Sequence, residues 1–329
     1  EWTERASKIA QSSDATVGFS AACGSPPRTV SVNPDHVLRG ASTLKVGVVL
    51  ADAIQRGASG GAVRSDDYTR RAIIESDNAA ANDLFARIGG GIPSRGVEAT
   101  NALFSALGMR RTAFDGPYIN TSARSQKVTT ASDLRVLAEN LQRLARDGSG
   151  PLAAQGGTQQ QASALIDLMS KSTYPSIFSG LSNAEIAHKS GWLADAQNDL
   201  VILVMPGRES CAVGFVSEGL SLAQAQKIGS QLTREVLQPL ARTPSRGNVP
   251  SAGRSSQAET SAEATASRTD RMPTEASATA TNTTTAAGAD SHQESNPEVS
   301  WVSDWRLWAL VGIAGAIILI VARQRQLNR

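Results

Sequence analysis

The chain has 329 residues, of which 40% are apolar and 19% charged, and its formal net charge is +2. This length is ample for one buried core plus additional segments. The near-neutral charge, without a basic stretch interleaved with aromatic residues, argues against nucleic acid as a partner. Three histidines without metal-ligand spacing and no phosphate-binding glycine loop give no reason to expect a metal or a cofactor.

Apolar periodicity predicts a helix at the start of the chain, followed by two strands. The helix is predicted over residues 2–11 and the strands over residues 17–23 and 29–32. Helical patterns then dominate to about residue 171. They include leucines at helical spacing, which indicate a buried core stripe: Leu134, Leu137, Leu141 and Leu144.

Strand patterns return in the later part of the domain. We predict strands over residues 185–193, 199–205 and 210–217, and a last helix over residues 222–240. Strands at both ends with helices between them favour an α/β fold of the α+β type. Its antiparallel sheet of about five strands would be flanked by helices and carry an inserted all-helical lobe.

The first chemical motif is Ser42-Thr43-Leu44-Lys45. Residues three apart lie on one helix face, so Ser42 and Lys45 can meet. A serine hydroxyl becomes a good nucleophile when a neighbouring base takes its proton, and lysine can be that base only if its pKa falls. The apolar residues that follow, up to Leu50, would bury Lys45 and lower its pKa. The alternative is an ordinary helix start, with Ser42 as cap and Lys45 exposed.

The second motif is Ser76-Asp77-Asn78, which precedes a run of helix-forming residues. In a catalytic site the Ser76 hydroxyl would relay protons, and Asn78 would hydrogen-bond a substrate amide. The alternative is a capped helix start, because Ser and Asp are both favoured caps.

The third motif, Lys189-Ser190-Gly191, lies in a predicted strand. Lys189 and Ser190 would present an ammonium and a hydroxyl to an anionic group of the substrate. Gly191 would allow another backbone segment to approach closely. The alternative is a surface hairpin.

In this order the three motifs resemble those of the serine β-lactamase and penicillin-binding D,D-peptidase superfamily, and class A β-lactamases above all. The similarity runs over residues 14–240. It implies acyl transfer onto Ser42 from a β-lactam or a D-Ala-terminated peptidoglycan peptide. The implied catalytic residues are Ser42, Lys45, Ser76 and Lys189. The implied substrate-binding residues are Asn78, Ser190, Gly191, Trp192 and Gln197, with the backbone N–H groups of Ser42 and Trp192 as an oxyanion hole.

The sequence also departs from the family pattern. Gly116 stands where class A enzymes carry the glutamate that activates the deacylating water, and Asp115 is one residue away and shorter. Gln197 stands where an arginine often holds the substrate carboxylate, and Trp192 is bulky. The segment between Lys45 and the second motif is much shorter than in class A enzymes, which predicts a more open cleft.

These departures favour an enzyme that is acylated readily and turned over slowly, since general-base help is typically worth about 10²–10⁴-fold. The alternative is a non-catalytic module on the same fold that binds cell-wall peptide or a protein partner.

The resemblance also implies a disulfide between Cys23 and Cys211. In the family's sheet the two strands that carry them are antiparallel neighbours, so the end of one meets the start of the other. The alternative is a pair of small buried thiols.

We divide the chain into a serine hydrolase domain (residues 1–242), a disordered stalk (243–300), a transmembrane helix (301–322) and a basic cytoplasmic tail (323–329). The stalk contains no Leu, Ile, Phe, Tyr or Trp, so it cannot form a core. The basic tail after an apolar run predicts a single-pass cell-membrane protein with an extracytoplasmic catalytic domain and a cytoplasmic C-terminus. Such a domain needs an export signal, and we expect one to have preceded Glu1.

Overall fold

Strands from both ends of the domain form one antiparallel sheet. The computed structural model of the protein describes residues 1–118, 127–178 and 184–242, which all fall within one compact unit, Glu1–Arg254. The predicted stalk, transmembrane helix and basic tail lie outside the described residues. Within the ranges just given, no helix is both long enough and apolar enough to cross a membrane.

The described residues contain eight strands in two sheets. In chain order the strands are β1 (Thr16–Cys23), β2 (Arg28–Val32), β3 (Leu38–Arg39), β4 (Ala113–Phe114), β5 (Lys127–Thr129), β6 (Glu185–Leu193), β7 (Ala196–Val204) and β8 (Cys211–Glu218). The main sheet has the order β2-β1-β8-β7-β6, with every neighbouring pair antiparallel. The prediction of a five-stranded antiparallel sheet is therefore confirmed. The small sheet, β3-β5-β4, was not expected, because strands of two or three residues are too short to show a periodic pattern.

Helices fill the middle of the domain and both its ends. They are α1 (Trp2–Ala10), α2 (Lys45–Arg56), α3 (Gly60–Ser65), α4 (Asp67–Ile74), α5 (Asn78–Ile88), α6 (Pro93–Ala106), α7 (Ala131–Asp147), α8 (Pro151–Ala154), α9 (Gln159–Met169), α10 (Leu222–Leu232) and α11 (Gln238–Leu240). A 3₁₀ turn (Ala41–Leu44) precedes α2, and a π-helical turn (Thr233–Leu237) joins α10 to α11. The predicted last helix is thus a continuous helical segment with a π-helical turn inside it.

The main sheet is buried on both faces. On β8, Val213 and Phe215 belong to an apolar cluster shared with α1 and α10, whereas Ala212 and Val216 belong to the cluster of the helical lobe. The predicted core stripe lies on α7 and is fully buried: Leu134, Leu137, Leu141 and Leu144. Strand β6 forms one edge of the sheet and contacts the 3₁₀ turn before α2, which brings the second half of the domain against the first motif.

Cys23 and Cys211 form a disulfide bond between β1 and β8. The register of these strands places the two residues directly opposite each other. The pairing implied by the family resemblance is therefore confirmed, and the alternative of two buried thiols is wrong. The bridge joins residues 188 positions apart, and such a bridge typically adds roughly 2–5 kcal/mol to the free energy of unfolding.

Candidate active site

Ser42 lies in a tight turn just before the buried helix α2. The preceding residue, Ala41, has a φ of +46°, in the left-handed region that most side chains avoid. Thr43 Oγ1 donates a hydrogen bond of 2.6 Å to the carbonyl oxygen of Gly40, which helps to hold this conformation. Lys45 follows one turn later, and its Nζ lies 3.1 Å from Ser42 Oγ. The prediction that Ser42 and Lys45 meet is confirmed.

Gly191 packs directly against this turn. A Cβ atom at Gly191 would lie 2.8 Å from the carbonyl oxygen of Gly40, 2.8 Å from the backbone nitrogen of Thr43 and 2.9 Å from that of Ser42. Such distances leave no room for a side chain, so strand β6 can approach the turn only with glycine here. The predicted close backbone approach at Gly191 is confirmed, and the backbone nitrogen of Ser42 lies beside this strand.

The second motif is a capped helix start, as the alternative interpretation expected, and its two other residues contact Lys45. Asp77 is the N-cap of α5, and its carboxylate accepts hydrogen bonds from the backbone N–H groups of Ala79 and Ala80. Ser76, just before the cap, has a φ of +57°. Such a conformation costs free energy and persists only where surrounding contacts hold it. Asn78 Oδ1 accepts a hydrogen bond of 2.7 Å from Lys45 Nζ.

Two buried lysines converge on Ser76. Lys45 Nζ lies 3.4 Å from Ser76 Oγ and also donates to the Ser76 carbonyl oxygen, while Lys189 Nζ donates to Ser76 Oγ at 2.8 Å. Both lysines are fully buried, so the alternatives of an exposed Lys45 and of a surface hairpin around Lys189 are wrong. Ser76 Oγ is thus a hydrogen-bonded bridge between the two amines.

The surroundings of both lysines favour their neutral forms. Burial, with a smaller contribution from the positive charge of Lys189, lowers the pKa of Lys45 to about 6. Burial also lowers the pKa of Lys189 to about 7, although the negative charge of Asp199 opposes this change. Near neutral pH, Lys45 is therefore mainly an uncharged amine that can accept a proton, 3.1 Å from a serine hydroxyl.

Asp199, on the strand next to Lys189, forms a buried hydrogen-bond network. His188 Nδ1 lies 3.0 Å from Asp199 Oδ1. The other carboxylate oxygen of Asp199 accepts hydrogen bonds from Ser176 Oγ at 2.6 Å and from the backbone N–H of Ile177 at 2.8 Å. Asp199 therefore ties strands β6 and β7 to the segment before residue 179.

The remaining predicted substrate-binding residues lie together at the end of the β6–β7 hairpin. Trp192 and Gln197 are directly opposite each other in the sheet, and the Trp192 side chain is exposed. Ser190 is buried, and its hydroxyl has no hydrogen-bond partner among the described residues. The structure therefore brings the predicted catalytic and substrate-binding residues into one region.

The cavity that contains Ser42 has a volume of about 250 Å³, and three of its lining residues, Arg39, Tyr118 and Lys127, were missed by the sequence analysis. The Tyr118 ring centroid lies 4.7 Å from Lys45 Nζ and 5.0 Å from Lys127 Nζ. Tyr118 also donates a hydrogen bond of 3.3 Å to the carbonyl oxygen of Ala41, and burial raises the pKa of its phenol. None of these three residues belongs to one of the three motifs, so the motifs could not have identified them.

The segment in which Gly116 replaces the family's glutamate lies in the same region, next to Tyr118. Gly116 is buried, whereas Asp115 is exposed. Among the described residues that line the Ser42 cavity, none is an aspartate or a glutamate. Asn120, which the resemblance places in the same loop, lies outside the described residues.

Comparison with known proteins identifies a family of the superfamily that the three motifs resemble. A sequence model of a family described as "Beta-lactamase enzyme family" matches residues 51–240, which include the second and third motifs and begin after Lys45. No curated protein matches the chain.

Several solved structures share the fold. A β-lactamase from Sphaerobacter thermophilus is 20% identical with a TM-score of 0.59, and the match covers 73% of this chain and 98% of that one. A class A β-lactamase from Mycobacterium abscessus is 18% identical with a TM-score of 0.58, covering 71% and 98%. PBP-A is 16% identical with a TM-score of 0.58, covering 72% and 96%. A mutant of PBP-A was solved as its acyl-enzyme complex with penicillin G. At these identities the likeness establishes the fold.

Proposed function

Since the chain belongs to the beta-lactamase enzyme family, we propose that it is a serine hydrolase that forms an acyl-enzyme on Ser42. Its substrates are β-lactams or D-Ala-type peptidoglycan peptides, and the acyl-enzyme hydrolyses slowly. The observation that carries the proposal is the buried Lys45 amine, with a pKa of about 6, at 3.1 Å from Ser42 Oγ. This is the arrangement of an activated nucleophile and its base.

In the acylation step, Ser42 Oγ attacks the carbonyl carbon of the substrate and Lys45 accepts the hydroxyl proton. The bond between carbonyl carbon and nitrogen then breaks, and the proton passes through the Ser76 hydroxyl to the leaving nitrogen. The short path from Lys45 through Ser76 to Lys189 supports this route. Lys189, when protonated, stabilises negative charge on this path.

The oxyanion that forms during attack needs two hydrogen-bond donors. The backbone N–H groups of Ser42 and Trp192 take this role, and the tight packing of Gly191 against the turn supports it because it fixes β6 beside Ser42. Asn78, Ser190 and Gln197 position the substrate.

We expect slow deacylation because residues 115–118 offer no well-placed base. Hydrolysis of the acyl-enzyme needs a base for the attacking water. Gly116 has no side chain to supply one, and Asp115 is exposed. The fold is shared at similar TM-scores by β-lactamases and by PBP-A, so the choice between the two activities depends on this local chemistry.

We place this reaction outside the cell. The domain is then held at the cell membrane by a transmembrane helix over residues 301–322, at the end of a stalk over residues 243–300. The disulfide between Cys23 and Cys211 supports an oxidising compartment.

The test is to incubate the full chain with penicillin G and follow its intact mass, beside Ser42→Ala and Lys45→Ala. We expect a mass increase of one penicillin in the wild type, none in Ser42→Ala and a much slower increase in Lys45→Ala. If the wild type gains no mass and consumes no penicillin, yet still binds a peptidoglycan peptide equally well in both variants, the protein is a binding module.

A further inference from the structure

Arg39 connects the turn that carries Ser42 to the tip of the β6–β7 hairpin. It lies on β3, three residues before Ser42. Its Nη2 atom lies 2.8 Å from Asp195 Oδ1, and Asp195 follows Trp192 by three residues. One ion pair therefore joins the two segments whose backbone N–H groups form the proposed oxyanion hole.

Arg39 is also bound to the ends of the neighbouring strands. Its Nε atom lies 2.7 Å from Glu218 Oε1, at the end of β8. Its carbonyl oxygen accepts a hydrogen bond of 2.6 Å from Asn198 Nδ2, on β7, and Asn198 is itself buried. Asn198 Oδ1 in turn accepts a hydrogen bond of 3.0 Å from the backbone N–H of Ser217. Both the side chain and the backbone of Arg39 are thus held against the main sheet.

The charge of Arg39 is matched within the protein, although the residue lines the Ser42 cavity. Asp195 and Glu218 contact two different nitrogen atoms of the guanidinium, and these hydrogen bonds raise the pKa of Arg39 above its ordinary value. One positive charge between two negative charges gives no excess attraction for an anionic group of a substrate. The contacts therefore indicate a role in geometry rather than in substrate binding.

The hairpin tip depends on such contacts because little of it is buried. Strand β6 is at the edge of the main sheet, and Trp192 and Leu193 at its end are 55% and 37% exposed. The backbone N–H of Gly219 donates a hydrogen bond of 2.7 Å to the Asp195 carbonyl oxygen, which ties the tip to β8. Arg39 then ties the tip and β8 to the Ser42 turn.

A small movement of the tip would affect catalysis more than folding. Exposed ion pairs contribute little to stability. A displacement of about 1 Å in an active site, however, can cost about 10²-fold in rate. The side chain of Arg39 is 34% exposed, so its ion pairs belong to the class with small effects on stability.

We propose that Arg39 is a positioning residue for acylation, which holds the Trp192 backbone at the correct distance from Ser42 through its ion pairs with Asp195 and Glu218. The proposal rests on the proposed acylation of Ser42. Arg39 acts through the hairpin and does not touch the reacting atoms. Because the oxyanion develops in the transition state, Arg39 affects the rate of the chemical step and not the affinity for the substrate.

The test measures acylation of the full chain over a range of penicillin G concentrations. This separates the limiting rate constant of acylation from the Kd of the non-covalent complex. Arg39→Gln should lower the limiting rate constant by at least about tenfold and change the Kd by less than about twofold.

Arg28→Gln is the matched control for the loss of an ion pair. Arg28 lies on β2 of the main sheet, its side chain is also 34% exposed, and its Nη2 atom lies 2.9 Å from Glu209 Oε2. It is not among the described residues that line the Ser42 cavity. The limiting rate constant should therefore stay at the wild-type value.

Asp195→Ala breaks the same ion pair from the other side and leaves the charge of Arg39 in place. It should lower the limiting rate constant by about three- to tenfold, less than Arg39→Gln, because Glu218 still holds the guanidinium. The double variant should be no slower than Arg39→Gln, since both changes break one contact. Hydrogen exchange measures the hairpin directly: in Arg39→Gln the amides of residues 192–197 should exchange faster, while those of α7 should not change.

The outcomes separate this proposal from the proposed function. A wild-type limiting rate constant in Arg39→Gln, or unchanged hydrogen exchange in its hairpin, overturns the positioning role and leaves the acyl-enzyme proposal intact. A higher Kd in Arg39→Gln, with Asp195→Ala equal to the wild type, also overturns it and makes Arg39 a substrate contact. If the wild type forms no Ser42-dependent adduct and consumes no penicillin G, the proposed function fails and the positioning role fails with it.

Discussion

Two groups of residues around Ser42 differ in the chemistry that they offer. The first, which we call the lysine cluster, consists of Ser42, Lys45, Ser76, Asn78 and Lys189 and is joined by hydrogen bonds. The second, the loop segment (residues 115–118), contributes the Tyr118 ring but no carboxylate to the cavity. We propose that the cluster forms an acyl-enzyme, whereas the loop segment, in which Asp115 is the carboxylate and is exposed, releases it slowly. Acylation and deacylation would then depend on two different parts of the site.

The largest effect on acylation is expected from removal of Lys45, the base of the lysine cluster. Lys45→Ala should slow acylation by penicillin G by about 10²–10⁴-fold, because the Ser42 hydroxyl loses the group that accepts its proton. Stopped-flow or intact-mass kinetics would measure this loss. Lys45→Arg is a second variant, since arginine keeps a long hydrogen-bond donor but stays protonated and cannot act as a base. An acylation rate in either variant close to that of the wild type, with the fold retained by circular dichroism, would refute the role of Lys45.

The loop segment can be altered by adding the missing carboxylate. Gly116→Glu should shorten the lifetime of the acyl-enzyme by about 10–10²-fold, since a grafted base is less well placed than a native one. Gly116→Gln is the matched control, with the same size and no base. We would measure the decay of the adduct after removal of free penicillin. Equal lifetimes in both variants, with acylation intact, would show that the absence of a carboxylate at residue 116 does not limit turnover.

The pH dependence of acylation tests the coupling between the two lysines. Lys45 must be neutral to act as the base, so the acylation rate should rise with pH through about 6 and be lost below it. The positive charge of Lys189 lowers the pKa of Lys45, so Lys189→Gln should raise this pKa and move the acid limb to higher pH, on the order of one pH unit.

Lys127→Gln is the matched comparison for the pH profile. The charge of Lys127 also lowers the pKa of Lys45, but less than that of Lys189 does. Its acid limb should therefore move in the same direction by a smaller amount. If the acid limb of the pH–rate profile does not move in Lys189→Gln, the charge of Lys189 does not lower the pKa of Lys45.

The smallest effect is expected where the two groups meet. Tyr118→Phe keeps the ring beside Lys45 and removes only the hydrogen bond to the Ala41 carbonyl oxygen. A single net hydrogen bond is worth about 0.5–1.5 kcal/mol, so acylation should slow by roughly 2–10-fold. Tyr118→Leu, which removes the ring as well, should slow it further. Wild-type rates in both variants would show that Tyr118 does not help to position the turn.

Much of this fold could be predicted from the sequence because its signals are local. The leucine stripe of α7 and the short apolar runs in β7 and β8 are visible in short windows. The motif residues were found because their order resembles a known family. The apolar residues after Lys45 correctly indicated that its amine is buried.

The features of the site that could not be predicted depend on contacts between residues far apart in the sequence. Tyr118 contacts Ala41 across 77 residues of sequence and also lies against Lys45, and no motif around Tyr118 indicates these contacts. His188 lies in a predicted strand, and nothing in that strand indicates that its ring pairs with Asp199 on the neighbouring strand. The ion pairs of Arg39 join three separate segments of the chain, so no single motif marks them.

The lifetime of the adduct shows whether Ser42 is acylated readily and its acyl group released slowly. The full chain would be acylated with penicillin G, separated from free drug, and followed by intact mass at neutral pH beside Ser42→Ala. We predict a Ser42-dependent adduct that lasts for minutes or longer. An adduct too brief to trap, accompanied by steady consumption of penicillin, would contradict the account and identify an efficient β-lactamase that uses another base.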